Sequence, residues 1–226
     1  MRINGVTYHH PLANITNGAG DAGGGGGGAG PTGKSYSFDG VDDYVLANGA
    51  ASAINFNSSA HSVSVWVKMP PTIDPLNAVW AFTNSSASNS RYWLAITAAG
   101  AVNLYGWGNS GGVYLFGGAG GVIVGSNLDD DAWHHIAVTY DGATALKIYI
   151  DGGAPSTVVV GAGTLNSDIF SFGARAVPGF PISYVAECFI HQASVYTSEL
   201  TPMQVAAIYN NNRPVDEAAL TPAPTN

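Results

Sequence analysis

The stretch Ser62–Met69 alternates without interruption, with Val63, Val65, Val67 and Met69 on one side and Ser64, Trp66 and Lys68 on the other. A period of two is the pattern of a strand with an apolar face, and no helix can hide it. The pattern returns at Tyr92–Thr97 and Val102–Trp107, around the Ala98–Ala101 turn. Trp133–Tyr140 and Ala145–Asp151 flank Asp141-Gly142, a hairpin signal. Val6–Leu12, Val113–Phe116, Gly121–Val124, Thr157–Val160, Ile169–Gly173 and Val185–His191 are further short strands. Many short strands between Gly-rich turns predict an all-β sandwich or barrel. One helix interrupts the pattern. Thr201 is its predicted N-cap, Pro202 its first residue, and Gln204 the partner in a capping box. Val205, Ile208 and Tyr209 then share one face.

Composition narrows the class of function. Hydrophobic residues make up 46% and charged residues 10%, which is enough apolar surface to offset the entropy of ordering the chain. Seven Lys and Arg within a net charge of −8 leave little to neutralise a phosphate backbone, so no nucleic-acid partner is expected. No apolar stretch reaches the roughly 20 residues of a membrane span, so no membrane insertion is expected. Cys188 is the only cysteine and lies in an apolar run, where a buried thiol is expected. The segment Met1–Gly5 lacks the apolar core of a signal peptide.

The residues also resemble a family. Tyr36–Val45 reads YSFDGVDDYV, similar to the opening of laminin G-like jelly rolls in the concanavalin A-like lectin/glucanase superfamily. SVSVWVK at Ser62–Lys68, WHHIAVTYDG at Trp133–Gly142 and KIYIDG at Lys147–Gly152 resemble its following strands in the expected order. Ala193–Tyr209 resembles its closing segment. The resemblance implies an all-β, two-sheet antiparallel jelly-roll sandwich with one short C-terminal helix. Residues 35–213 are expected to form that jelly roll. Residues 1–18 would add an N-terminal strand or arm, 19–34 a Gly-rich loop with six consecutive glycines, and 214–226 a C-terminal tail.

The resemblance raises three functions, because one fold carries many. The first is a non-enzymatic surface protein, expected as an exposed subunit of a phage particle (decoration or fibre-associated) with glycan adhesion. Its protein partners would be neighbouring virion subunits or other copies of itself. Its expected place is the virion surface, since a lectin-like chain with neither leader nor disulfide suits a particle assembled in cytoplasm. The second is a free carbohydrate-binding module or adhesin, placed outside the cell. The third is a glycoside hydrolase, which needs two carboxylates flanking the scissile bond. Only Glu187, Glu199 and Glu217 are glutamates, and Glu187 has no acid within two residues, which disfavours that reading.

Two sites follow as expectations. Tyr105, Trp107, Tyr114 and Trp93 are the candidate glycan-binding residues, because an aromatic face beside polar groups suits a sugar ring. Asp39, Asp42 and Asp43 are the candidate calcium ligands, because hard cations collect carboxylate and carbonyl oxygens around Gly-containing turns. The same acids also suit a plain solvated turn. The pairs His9-His10 and His134-His135 point to opposite faces of their strands, which argues against zinc.

Overall fold

A computed structural model describes residues 6–9, 35–48, 55–56, 59–71, 76–84, 87–108, 114–161, 165–176 and 181–210. The expectations placed on 19–34 and 214–226, and on all of 1–18 but 6–9, lie outside the described residues. Two antiparallel sheets pack face to face. The smaller runs β13 (Ser156–Val159), β12 (Ala145–Ile150), β11 (Trp133–Tyr140), β5 (His61–Lys68), β16 (Glu187–Tyr196) and β2 (Tyr36–Asp39). The larger runs β1 (Val6–His9), β3 (Tyr44–Asn48), β15 (Ile169–Phe172), β6 (Leu76–Asn84), β7 (Ala87–Thr97), β8 (Val102–Trp107) and β10 (Val122–Val124), with β9 (Tyr114–Phe116) also paired to β8. A short ladder joins β4 (Asn55–Phe56) to β14 (Leu165–Asn166).

The alternating residues meet between the sheets. Val63, Val65, Val67, Ile136 and Val138 of the smaller sheet join Trp80, Phe82, Tyr92, Leu94 and Leu104 of the larger in one buried cluster. The other face of β5 is buried as well, because the C-terminal helix α1 (Pro202–Tyr209) covers it. Tyr209 stacks on Trp66 at 5.6 Å, and Ser62 Oγ donates to the Ser198 carbonyl while accepting from the Leu200 amide. The helix begins as expected. The Gln204 amide donates to Thr201 Oγ1 at 3.3 Å and the Thr201 amide to Gln204 Oε1 at 2.9 Å.

One central strand escaped the pattern. β6 reads LNAVWAFTN, an almost continuous apolar run buried on both faces, with a register shift between Ala78 and Trp80. A strand with apolar residues on both sides has no polar face to alternate with. β16 also runs on to Tyr196, past the expected end at His191, with a register shift between His191 and Ser194.

Candidate functional site

Alternation on the larger sheet does more than fill the core. On β7 and β8, Tyr92, Leu94, Val102 and Leu104 point inward. The residues between them must then project from the outer face. The register sets Ala81 beside Trp93 and Trp93 beside Tyr105, and one step along it sets Arg91 beside Trp107. Ala78, Ala81 and Ala95 are small, and the Trp93 ring lies against them. A further register shift between Gly106 and Trp107 brings Tyr114 of β9 opposite Trp107. A bulge of this kind re-aims the side chain it carries. Gly106 permits it: a Cβ there would lie 2.5 Å from Phe116 Cε1 and 2.8 Å from Leu115 Cβ.

The outcome is a cleft of about 190 Å³ whose walls include Trp93, Tyr105, Trp107, Tyr114, Tyr184, Arg91 and Arg175. All four aromatic residues singled out from the sequence therefore line one depression. Trp107 and Tyr114 meet edge to face at 4.3 Å and 87°. Trp93 is only 3% exposed and stacks on both Tyr105 (4.7 Å) and Tyr184 (4.8 Å). That leaves Trp93 no free face for a sugar, so it supports its neighbours. The exposed rings are Tyr114 at 38% and Tyr184 at 40%. Tyr105 is held at its hydroxyl, which accepts from Asn103 Nδ2 at 3.0 Å.

Tyr184 and Arg175 were not singled out in the sequence. They arrive from a segment whose ends meet in the isolated Arg175–Ser183 bridge. Tyr184 adopts φ +57°, a strained conformation for a bulky residue. The Ala78 amide donates to its carbonyl at 2.9 Å, anchoring it over the sheet. Arg175 lies 5.1 Å above the Tyr184 ring, and its Nε donates to Ser183 Oγ at 2.9 Å. Arg91 sits 6.0 Å from the Trp107 ring centre. Burial, and then the charge of Arg91, lower the Arg175 guanidinium from its ordinary value, while Tyr184 acts in the opposite direction.

The candidate calcium ligands lie in the turn after β2. Asp39, Asp42 and Asp43 bring carboxylate oxygens within 4.8 Å of one another. Much of this turn is made by its own backbone. Asp39 Oδ1 accepts from the amides of Val41 (2.8 Å) and Asp42 (3.4 Å), and Asp43 Oδ2 from that of Asp39 (3.2 Å). Calcium takes six to eight oxygens, so three carboxylates offering one oxygen each would supply half a cage at most. The ladder also sets Glu187 opposite Asp39, a proximity that their separation in sequence hides. Both acids are exposed and neither lines the aromatic cleft.

Among the described residues, His134, His135 and Asp131 make structural contacts. His134 Nδ1 meets Asp151 Oδ2 at 2.7 Å and its Nε2 meets Asp130 Oδ1 at 3.1 Å. Burial works against its proton, but these two carboxylates outweigh burial and raise the His134 pKa. His135 points the other way, is fully buried, and shares a 2.9 Å hydrogen bond with Ser64 Oγ. Asp131 pairs with Lys68 at 3.2 Å. Cys188 is buried, and burial pushes its thiol pKa upward.

No curated protein matches the chain. Three solved structures share its fold at low identity. The binding domain of Paraclostridial Mosquitocidal Protein 1 is 14% identical with a TM-score of 0.56, over 80% of this chain and 44% of that one. The binding domain of botulinum neurotoxin DC in complex with SialylT is 14% identical with a TM-score of 0.56, over 79% and 42%. A structure of botulinum neurotoxin type C, whose cell entry depends on interaction with two ganglioside molecules, is 17% identical with a TM-score of 0.55, over 79% and 42%. The chain thus spans less than half the length of these neighbours. The model of one family, described as concanavalin A-like lectin/glucanases, matches residues 39–206 with the jelly-roll order seen here, and the chain belongs to that superfamily as a laminin G-like domain.

Proposed function

We propose that this chain is a non-enzymatic carbohydrate-binding domain that takes a sugar ring in the cleft on the outer face of its larger sheet. The observation that carries the reading is the convergence of Trp107, Tyr114, Tyr105 and Tyr184 around one open depression of about 190 Å³. Sugar rings present apolar C–H faces with polar edges, and the aromatic rings match the first while Arg91 and Arg175 match the second. Trp107, Tyr114 and Tyr184 are the proposed contacts, with Trp93 and Tyr105 as their support. Two of the structural neighbours meet glycans, one in a complex with SialylT and one through gangliosides, which supports a glycan as the ligand class. Two of these neighbours are binding domains and the third is a neurotoxin, and among the described residues no acid lines the cleft.

A glycan array probed with the wild-type chain and with Trp107→Ala tests the reading. Binding that falls by about tenfold or more in the variant is expected from the loss of one stacking ring. A blank array, or binding that the substitution leaves intact, overturns it. Chelator is expected to leave binding unchanged, because Asp39, Asp42 and Asp43 do not line the cleft. Loss with chelator would move the site to their turn. The setting we propose for this binding is the exposed phage-particle subunit expected from the sequence, with neighbouring subunits as protein partners. Mass spectrometry of purified particles tests that setting, and absence of the chain from them leaves the free lectin or adhesin.

A further inference from the structure

We propose that the cleft selects an anionic sugar, with Arg91 and Arg175 holding a carboxylate or sulfate group while the ring rests on Trp107 and Tyr114. The inference rests on the glycan reading and adds the chemical class of the ligand. It starts from where the few positive charges sit. The described residues hold four Lys and Arg side chains: Lys68, Arg91, Lys147 and Arg175. Lys68 pairs with Asp131 at 3.2 Å and Lys147 with Glu199 at 2.7 Å. The two arginines have no carboxylate partner among the described residues, although the chain carries fifteen acids and a net charge of −8. Both arginines line the aromatic cleft, and among the described residues no acid does.

The two guanidiniums line one cleft with no acid among the described residues there, and like charges repel. An anion entering the cleft relieves that repulsion and gains charge-assisted hydrogen bonds. The geometry leaves donors for it. Arg175 spends its Nε–H on Ser183 Oγ, which fixes the plane of the group and leaves its terminal N–H donors. Stacking on Tyr184 and proximity to Trp107 hold the two groups beside the aromatic rings, so less side-chain entropy is lost on binding. The same chemistry can come from a sugar carboxylate or from a sulfate ester. Bare inorganic sulfate would satisfy the arginines but not the rings.

Titration calorimetry of matched sugars tests the proposal: lactose, sialyllactose, sulfated lactose and inorganic sulfate, against wild type, Arg91→Gln, Arg175→Lys and Lys147→Gln. Circular dichroism of each variant verifies the fold. Wild type is expected to bind an acidic sugar about tenfold or more above lactose, the scale of one charge-assisted contact. The ratio should fall toward one in Arg91→Gln, and drop in Arg175→Lys, where charge is kept but the fork is lost. Lys147→Gln, remote from the cleft, should leave the ratio unchanged. The preference should also shrink between about 0.02 and 0.5 M salt, as screening shortens the reach of the arginines. Sialyllactose above sulfated lactose assigns a carboxylate, and the reverse a sulfate. Equal binding of lactose and both acidic sugars, abolished by Trp107→Ala, overturns the anionic preference and leaves the glycan reading standing. Inorganic sulfate binding as tightly as any sugar makes the cleft an anion site and overturns both. No binding by any of the four also overturns both.

Discussion

Acidification should weaken this fold through His61, and one substitution isolates the effect. His61 is fully buried among Phe82, Tyr92 and Tyr140, with ring centres 5.3 to 6.2 Å away. Burial lowers its pKa from 6.5 to about 4, against a weaker opposing pull from the Ser59 carbonyl. Below pH 6.5 the unfolded chain therefore binds a proton that the folded chain refuses. The stabilising contribution is complete above pH 6.5 and is lost as the pH falls toward 4. Between about pH 7.5 and pH 5 linkage puts the loss at about 2 kcal/mol for this one residue. His135, which burial also lowers to about 4, adds a similar loss. His134 has the opposite sign. Its raised pKa makes its contribution present below 6.5 and lost as the pH rises through the folded value. Comparing wild type with His61→Phe cancels both of these neighbours. Urea unfolding at the two pH values should show wild type losing about 2 kcal/mol more than the variant on acidification. The variant's stability at neutral pH is free to drop, since the Ser59 carbonyl loses a partner. An identical pH dependence in both proteins would refute the reasoning.

Three further substitutions probe the scaffold around the cleft and the helix. Gly106→Ala drives a Cβ into Phe116 and Leu115, so it should cost about 1–3 kcal/mol in urea unfolding and weaken glycan binding by displacing Tyr114. Asp141→Ala removes an acceptor that binds the amides of Ala143 and Thr144 at 2.8 Å and Ala145 at 3.1 Å, and should cost about 1–3 kcal/mol without altering the glycan affinity. Tyr209→Ala uncovers the stacked face of Trp66, so tryptophan emission should shift to the red and the thermal midpoint should fall by several degrees. An unshifted spectrum would mean that α1 does not seal that face.

Much of the architecture was legible because strands with one apolar and one mixed or polar face announce themselves by period two. β5, β8 and β11 are read directly from Val63-Val65-Val67, from Val102 and Leu104, and from the aligned Trp133–Tyr140 segment. The helix was legible from its cap, since Thr201 and Gln204 satisfy each other's amides locally. β6 was not, because apolar residues on both of its faces erase the alternation that reveals a strand. The cleft divides along the same line. Trp93, Tyr105 and Trp107 occupy alternate positions on neighbouring strands, so their common face follows from local periodicity. Tyr184 and Arg175 join them through an isolated bridge, the hydrogen bond from Ala78 and a strained backbone, and no local pattern encodes these. The meeting of Glu187 with Asp39 is likewise a product of register between β16 and β2. That Trp93 supports rather than binds was also hidden, because a tryptophan looks the same in sequence whether its faces are covered or open.

The central claim is that the outer face of the larger sheet is where this chain meets a sugar. The five tryptophans report on it independently: Trp93 and Trp107 line the cleft, while Trp66, Trp80 and Trp133 do not. Two-dimensional ¹H–¹⁵N spectra of the indole N–H groups, assigned by substitution and recorded during titration with the tightest-binding array glycan, separate the two groups. Progressive shifts are expected at Trp107 and Trp93 with the other three still. Saturable binding that leaves Trp107 and Trp93 unmoved, or that shifts Trp133 instead, would contradict the claim.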